Sequence, residues 1–550
     1  MRKFSLVIAI FCLGLPLGAL AQLDTSKSID IVVLGQYRPK LSMANKIITN
    51  PDVEPVKGTT PTFTYNLPNF AYSVLPTYRP APAIGVKSEM DEPLFGNYFK
   101  LGAGNYVTPY AEFRVHSVRN KAFNYGVYGT HLSSNAGNPK NADFSDNRLG
   151  VMGEKVGKKA NLTGKLNYER HVVHFYGYDD TFNFEKVQIN QIFNDFNGIL
   201  TYNRGYETMK IGTLADFKFY TLSAHASGLR ENNYDGGFAV RGKMKGKNEI
   251  NFRANVDYTQ LFDGGKSVQN RTFIRIKPNY SFVYVTPQKI DLDVKAGLNT
   301  VVALDSNGSK VYVFPDIYAE HFLVPKKVVA FAQIGGDVQK NALRQLSYIN
   351  PFMGSNVAFK NTINEFSAVA GLRGVILKKL DYLLKIKFSA DKNLPLFLTD
   401  TFATRTFGVV YDNVKTTGFT SGFGFRLNER FFIQAAATLY SYNTTFQSDP
   451  WQLPLYDIDL NTRMIVAKKL NLRAQAYFIG DRIAKDRFEK GAKPQTLPPI
   501  LDFNLMADYR YKKNISFFLN VNNISSVRYQ KWYGYKSYGI NLLAGITFSL

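Results

Sequence analysis

The sequence predicts an all-β protein: a transmembrane antiparallel β-barrel of about 22 strands, with short periplasmic turns and longer extracellular loops. Three observations carry the prediction. Apolar and polar residues alternate with period two over unusually long segments. Tiny basic turns take their place between these segments in rotation with longer polar connections. Aromatics make up 14% of the 550 residues, with 43 Phe and 34 Tyr, which is a sheet-forming composition.

The chain opens with an export signal. Arg2 and Lys3 give a positive start, Phe4 to Leu15 is largely apolar, and Ala19-Leu20-Ala21 before Gln22 has the small-x-small form of a cleavage site. Residues 1–21 are therefore expected to be removed. Residues 22–96 hold nine of the 23 prolines, a density that suits an extended, irregular segment and opposes a packed domain. Residues 97–550 are assigned to the barrel.

Within that region Ile250, Phe252, Ala254, Val256 and Tyr258 alternate with Asn251, Arg253, Asn255 and Asp257. Ile290 to Leu298 does the same around Asp291, Asp293 and Lys295, and Leu501 to Tyr509 around Asp502 and Asp508. Strands of soluble sandwiches average about 5–6 residues, whereas crossing a membrane takes about 9–11. The length favours strands with one face on lipid and the other on a wet interior. Arg253, Asp257, Asp291, Asp293 and Lys295 are the candidate lumen-facing residues; their mixed signs imply no ion selectivity. Phe431, Phe432, Tyr440 and Tyr442, near strand ends, are candidates for an interfacial aromatic girdle.

Ten short turns can be read, among them Gly157-Lys158-Lys159, Pro325-Lys326-Lys327, Lys468-Lys469 and Lys512-Lys513-Asn514. Two strands per turn, plus the two terminal strands, gives 22. The first strand falls at about Tyr98 to Gly104 and the last at Tyr538 to Leu550. Phe407 to Val414 is left over as an extended piece inside a long loop. In the final strand Phe548 and Leu550 share the apolar face. A chain that stops there can pair its last strand with its first, closing the barrel and removing both edges.

The net charge of +24 is compatible with nucleic acid or an anionic membrane surface, and export excludes the former. The expected partners are outer-membrane lipid, the barrel assembly machinery, and periplasmic or outer-membrane proteins. Cys12 is the only cysteine and lies in the signal, so the mature chain has no disulfide or thiolate site. His171 and His174 form the one close histidine pair, but at this spacing in a strand they point to opposite faces. No P-loop, G-x-S-x-G or H-E-x-x-H pattern occurs. No catalytic residue, cofactor or metal is expected.

Asn522 to Leu550 resembles the C-terminal end of a TonB-dependent receptor barrel. The resemblance rests on the Asn-rich strand end, the Tyr529-x-x-Trp532-Tyr533 loop, the Tyr538-Gly539 entry and the closing strand. It implies a 22-stranded outer-membrane barrel over residues 97–550. Leu550 stands where an aromatic is usual. The family's folded plug is larger than the segment 22–96, so the plug is expected to be absent and the lumen to be occluded by that segment, by the outer loops or by a partner. Asp30, Ile31, Val32 and Val33 could form a TonB-box-like strand. The resemblance implies passage of a solute across the outer membrane; the alternative is a barrel that anchors or scaffolds an envelope complex.

Overall fold

The computed structural model describes residues 95–550 except 119, 121, 136, 179–181, 289, 307, 326, 356, 378, 400–405, 468 and 486–492. The signal, the stretch 22–94 and the Asp30 to Val33 strand lie outside the described residues.

The first barrel strands are β1 (Asn97–Gly104), β2 (Thr108–His116), β3 (Phe123–Ser134), β4 (Phe144–Val156), β5 (Asn161–His174) and β6 (Asn190–Arg204). Next come β7 (Ile211–Ala224), β8 (Leu229–Lys243), β9 (Glu249–Asp263), β10 (Lys266–Val285), β11 (Asp291–Asp305), β12 (Gly308–Val324) and β13 (Val328–Gln339). The following connection carries a short helix, α1 (Leu343–Ile349). The wall resumes with β14 (Thr362–Ile376), β15 (Leu380–Thr399), β16 (Phe407–Asn428), β17 (Phe431–Thr444), β18 (Tyr456–Val466) and β19 (Leu470–Ile479). A small hairpin, β20 (Arg482–Ala484) and β21 (Gln495–Leu497), precedes β22 (Ile500–Lys512) and β23 (Ile515–Asn522). A second hairpin, β24 (Gln530–Trp532) and β25 (Tyr535–Lys536), leads into β26 (Asn541–Ser549).

Among the described residues, 22 strands form one antiparallel sheet, each paired with the next along the wall, and β26 pairs back onto β1. The closing register runs from Tyr98 opposite Ser549 to Gly104 opposite Leu543. Asn97 and Leu550 then exchange two backbone hydrogen bonds, of 2.9 and 2.8 Å. All ten short turns fall between barrel strands on the side where both ends of the barrel lie.

Exposure along the strands is inverted relative to a water-soluble sheet. In β26 the exposed residues are Leu542 and Ala544, while Asn541, Thr547 and Ser549 are buried. In β9 Ile250, Phe252 and Val256 are exposed, while Asp257 and Thr259 are buried. Apolar out and polar in is the pattern of a barrel that meets lipid outside. Among the described residues no helix is long and apolar enough to cross a membrane. Strands must do the crossing, and closure satisfies their backbone groups.

Three expectations need correction. Phe407 to Val414 is the start of β16 and not a piece of loop. It pairs with the end of β15 beyond an irregularity between Asp391 and Leu394. Its apolar residues Phe407 and Val409 are buried because they pack against the inward-folded loops. The last strand begins at Asn541, not Tyr538, because the Tyr538 hydroxyl turns inward to donate to the Ala142 carbonyl at 2.5 Å. Tyr440 and Tyr442 are not girdle residues. They share the parity of Thr438, which hydrogen-bonds Thr420 across the strand pair, and Tyr442 packs on the interior cluster of Leu394, Leu396, Leu398, Val414 and Trp451.

Candidate functional site

The connection between β13 and β14 folds back into the barrel instead of projecting away from it. Lys340, at its start, donates from Nζ to both carboxylate oxygens of Asp257 on β9 (2.7 and 2.9 Å) and to Thr259 Oγ1 (2.7 Å). Its other end is fixed by Asn341, whose Nδ2 donates to the Lys360 carbonyl and to Thr362 Oγ1, both at 2.8 Å. Arg271 on β10 donates to the Asn341 carbonyl at 2.9 Å. Burial pulls the Lys340 ammonium below its ordinary range, and the Asp257 carboxylate acts against that shift.

The helix α1 is anchored to the same wall. Glu231 on β8, fully buried, accepts from the backbone N–H groups of Leu343 and Arg344, at 2.8 and 3.2 Å, and from the Tyr220 hydroxyl. These N–H groups have no partner within the helix, so the carboxylate caps them in place of an N-cap side chain. Arg344 reaches Asp195 on β6 through Nε at 2.5 Å and stacks its guanidinium over Tyr220, 4.5 Å from the ring centroid. The Tyr348 hydroxyl donates to the same Asp195 at 3.1 Å.

An apolar core lies across the mouth. Leu343, Leu346 and Ile349 of α1, with Phe352, Met353 and Phe359 after it, pack on wall residues Phe193, Leu222, Leu229 and Leu261. Phe175 and Ile189 join from the β5–β6 connection, and Trp532 and Tyr535 from the β24–β25 hairpin on the far side. Phe352 stacks on Tyr535 with ring centroids 3.7 Å apart, and Trp532 meets Phe397 and Phe407 edge-on. Side chains from opposite parts of the wall thus share one apolar cluster, a lid over the end of the barrel away from the short turns. The Trp532 of the barrel-end motif belongs to this lid, while Tyr529 donates to Asp502 at 2.5 Å beneath it.

The residues expected to face the lumen are distributed along the wall, each with a partner. Arg253 pairs with Asp216 at 2.9 Å and Asp257 with Lys340. Asp293 pairs with Lys247 at 3.1 Å and Lys295 with Asp316 at 3.6 Å. The Asp291 carbonyl bonds His321 Nδ1 at 2.8 Å. Only Asp257 touches the lid. Phe548 and Leu550 stand at the β1–β26 closure. His171 contacts Asp146, and His174 Nδ1 bonds the Asp143 carbonyl. Among the described residues no group of His, Cys, Asp and Glu is placed to hold a metal.

The sequence pattern did not single out α1, Glu231 or Lys340. A signal was present: Leu343, Leu346 and Ile349 recur at helical spacing and run into Phe352 and Met353, which is too apolar for an exposed loop.

No family model matches the sequence, and no curated protein matches it. Solved structures do. The iron transporter FrpB of Neisseria meningitidis superimposes with a TM-score of 0.64 at 8% identity, covering 84% of this chain and 82% of that one. The ferric enterobactin receptor PfeA of Pseudomonas aeruginosa, in complex with enterobactin, gives 0.61 at 11%, over 82% and 81%. The copper transporter OprC gives 0.61 at 11%, over 82% and 80%. The chain has the barrel fold of the TonB-dependent receptors. This is an outer-membrane barrel, so the side of the short turns is periplasmic and the lid faces the outside. In this barrel the extracellular end is closed by the chain's own loops, held by charged contacts at one side of the wall and by aromatic packing at the other.

Proposed function

We propose that the protein mediates gated passage of a solute across the outer membrane. The observation that carries the proposal is the lid: a barrel of this width encloses a lumen, and its outer end is closed by loops that are tied to the wall by side chains. Closure by separable contacts suits a gate. Arg253, Asp257, Asp291, Asp293 and Lys295 line the path on its inner face. Residues 22–96 are the candidate occluder of the lumen on this reading, and Asp30 to Val33 the candidate TonB-box-like segment for a periplasmic partner. The similarity to iron and copper transporters supports passage over the scaffold alternative, for which no feature among the described residues speaks.

Single-channel conductance in planar bilayers tests this. Full-length protein is expected to be silent. A variant with 343–359 replaced by a short Gly-Ser linker and lacking 22–95 is expected to give large steady pores. Silence of that double deletion overturns the reading. Full conductance after removing 343–359 alone would show that residues 22–95 do not occlude the lumen.

A further inference from the structure

The two ends of the barrel differ in charge. Each of the ten periplasmic turns contains Lys or Arg, opposed within those turns by only Glu207 and Glu429. The extracellular connections mix the signs, as at Asp143, Lys186 and Asp449. The basic residues are not gathered on one flank. Lys158, Lys210, Lys327, Lys379, Lys469 and Lys513 are all exposed, and each belongs to a different hairpin, so they are spread around the circumference.

Lysine near a hairpin end is often explained as protection of an open strand edge. That explanation does not apply here, because β26 pairs with β1 and the barrel has no edge. The neighbours of the ring point elsewhere. Tyr125, Tyr202, Tyr284 and Tyr511 are exposed large aromatics on the outer parity, each a few residues from a short turn. Amphipathic rings at that position mark the depth of the membrane–water interface. The basic turns lie just beyond, at the level of lipid phosphates.

We propose that the periplasmic rim is a docking ring for anionic phospholipid headgroups of the inner leaflet. An acidic protein would match a patch; a charge that encircles the barrel next to an aromatic belt matches the lipid annulus. The attraction is the Coulombic one that basic segments feel at an anionic surface, and salt screens it. It fixes the barrel's depth and stabilises it in anionic bilayers.

The test uses full-length protein in nanodiscs of phosphatidylcholine alone or mixed equally with phosphatidylglycerol, with thermal unfolding as the readout. The wild type is expected to melt several degrees higher in the anionic discs, with most of that gain lost at about 0.5 M salt. Replacing Lys158, Lys159, Lys468, Lys469 and Lys513 by Gln should remove at least half of the gain while leaving the phosphatidylcholine melting point unchanged. The same positions changed to Arg should retain it. Equal melting in the two lipids, or a Gln variant that keeps the whole gain, overturns the proposal. So does capture of an acidic periplasmic protein by a ring that shows no lipid preference.

Discussion

Lys340 Nζ lies 2.7 and 2.9 Å from the two carboxylate oxygens of Asp257, joining the start of the inward loop to the barrel wall. Both side chains are mostly buried, at 13% and 12% exposure. Removing one partner of a buried ion pair strands the other charge, at a cost of about 3–5 kcal/mol. Lys340→Met is therefore expected to loosen the lid, and to appear as flickering conductance in protein lacking residues 22–95. The double variant Lys340→Met, Asp257→Asn should be less disturbed than Lys340→Met alone. If Lys340→Met stays silent, the pin does not hold the gate.

Glu231 caps α1 from a strand more than a hundred residues away in sequence. Glu231→Ala leaves two backbone donors and the Tyr220 hydroxyl without their acceptor, each unsatisfied group costing about 1–3 kcal/mol. Amide exchange at Leu343 and Arg344 should accelerate at least tenfold, while exchange in β11 and β12 stays the same. Unchanged exchange in α1 would show that packing alone holds the helix.

The barrel closure depends on glycines that meet backbone. A Cβ on Gly545 would stand 2.0 Å from the Leu101 carbonyl oxygen, and one on Gly104 would stand 2.2 Å from that of Leu542. No side-chain rotation relieves a collision with backbone. Gly545→Ala is expected to give protein that no longer shows the gel shift of a heat-labile folded barrel. Gly164→Ala, whose new Cβ would meet a side-chain carbon of Leu200 at 3.7 Å, should fold normally.

Lys531, in the β24–β25 hairpin, is pushed down to about 7 by burial, with Arg482 adding to the shift. The unfolded chain keeps this amine protonated up to about pH 10.4. Between those values the unfolded state binds the extra proton, so stability should rise with pH. Denaturant unfolding at about pH 6 and pH 9 should show that rise in the wild type and a smaller one in Lys531→Met. An identical slope in both removes Lys531 from the account.

The wall was legible in the sequence because each strand repeats one local rule. Ile250 to Tyr258 alternates over a membrane's width, and a turn such as Lys468-Lys469 announces where the chain reverses. Parity fixed where Asp257 and Asp293 would point. The lid was not legible because its stability is tertiary. Glu231 becomes a helix cap, and Phe352 a stacking partner of Tyr535, only once the barrel has brought distant segments together. Phe407 to Val414 misled for the same reason: a strand that continues past the lipid band to pack on a lid has the apolar residues of a separate element.

The pairing of Asn97 with Leu550 also dictates an order of events in folding. Every other strand pairing in the wall joins strands that follow one another around it and lie near in sequence, so those hairpins can form as the chain becomes available. The β1–β26 pairing joins the two ends of the barrel and bears the full entropy of closing a loop of that length. It should be the last to form. Until then β1 and β26 carry unpaired backbone groups that lipid cannot satisfy, which ties membrane entry to completion of the ring. A chain cut within β26 would keep nearly every hairpin and still be unable to reside in the bilayer.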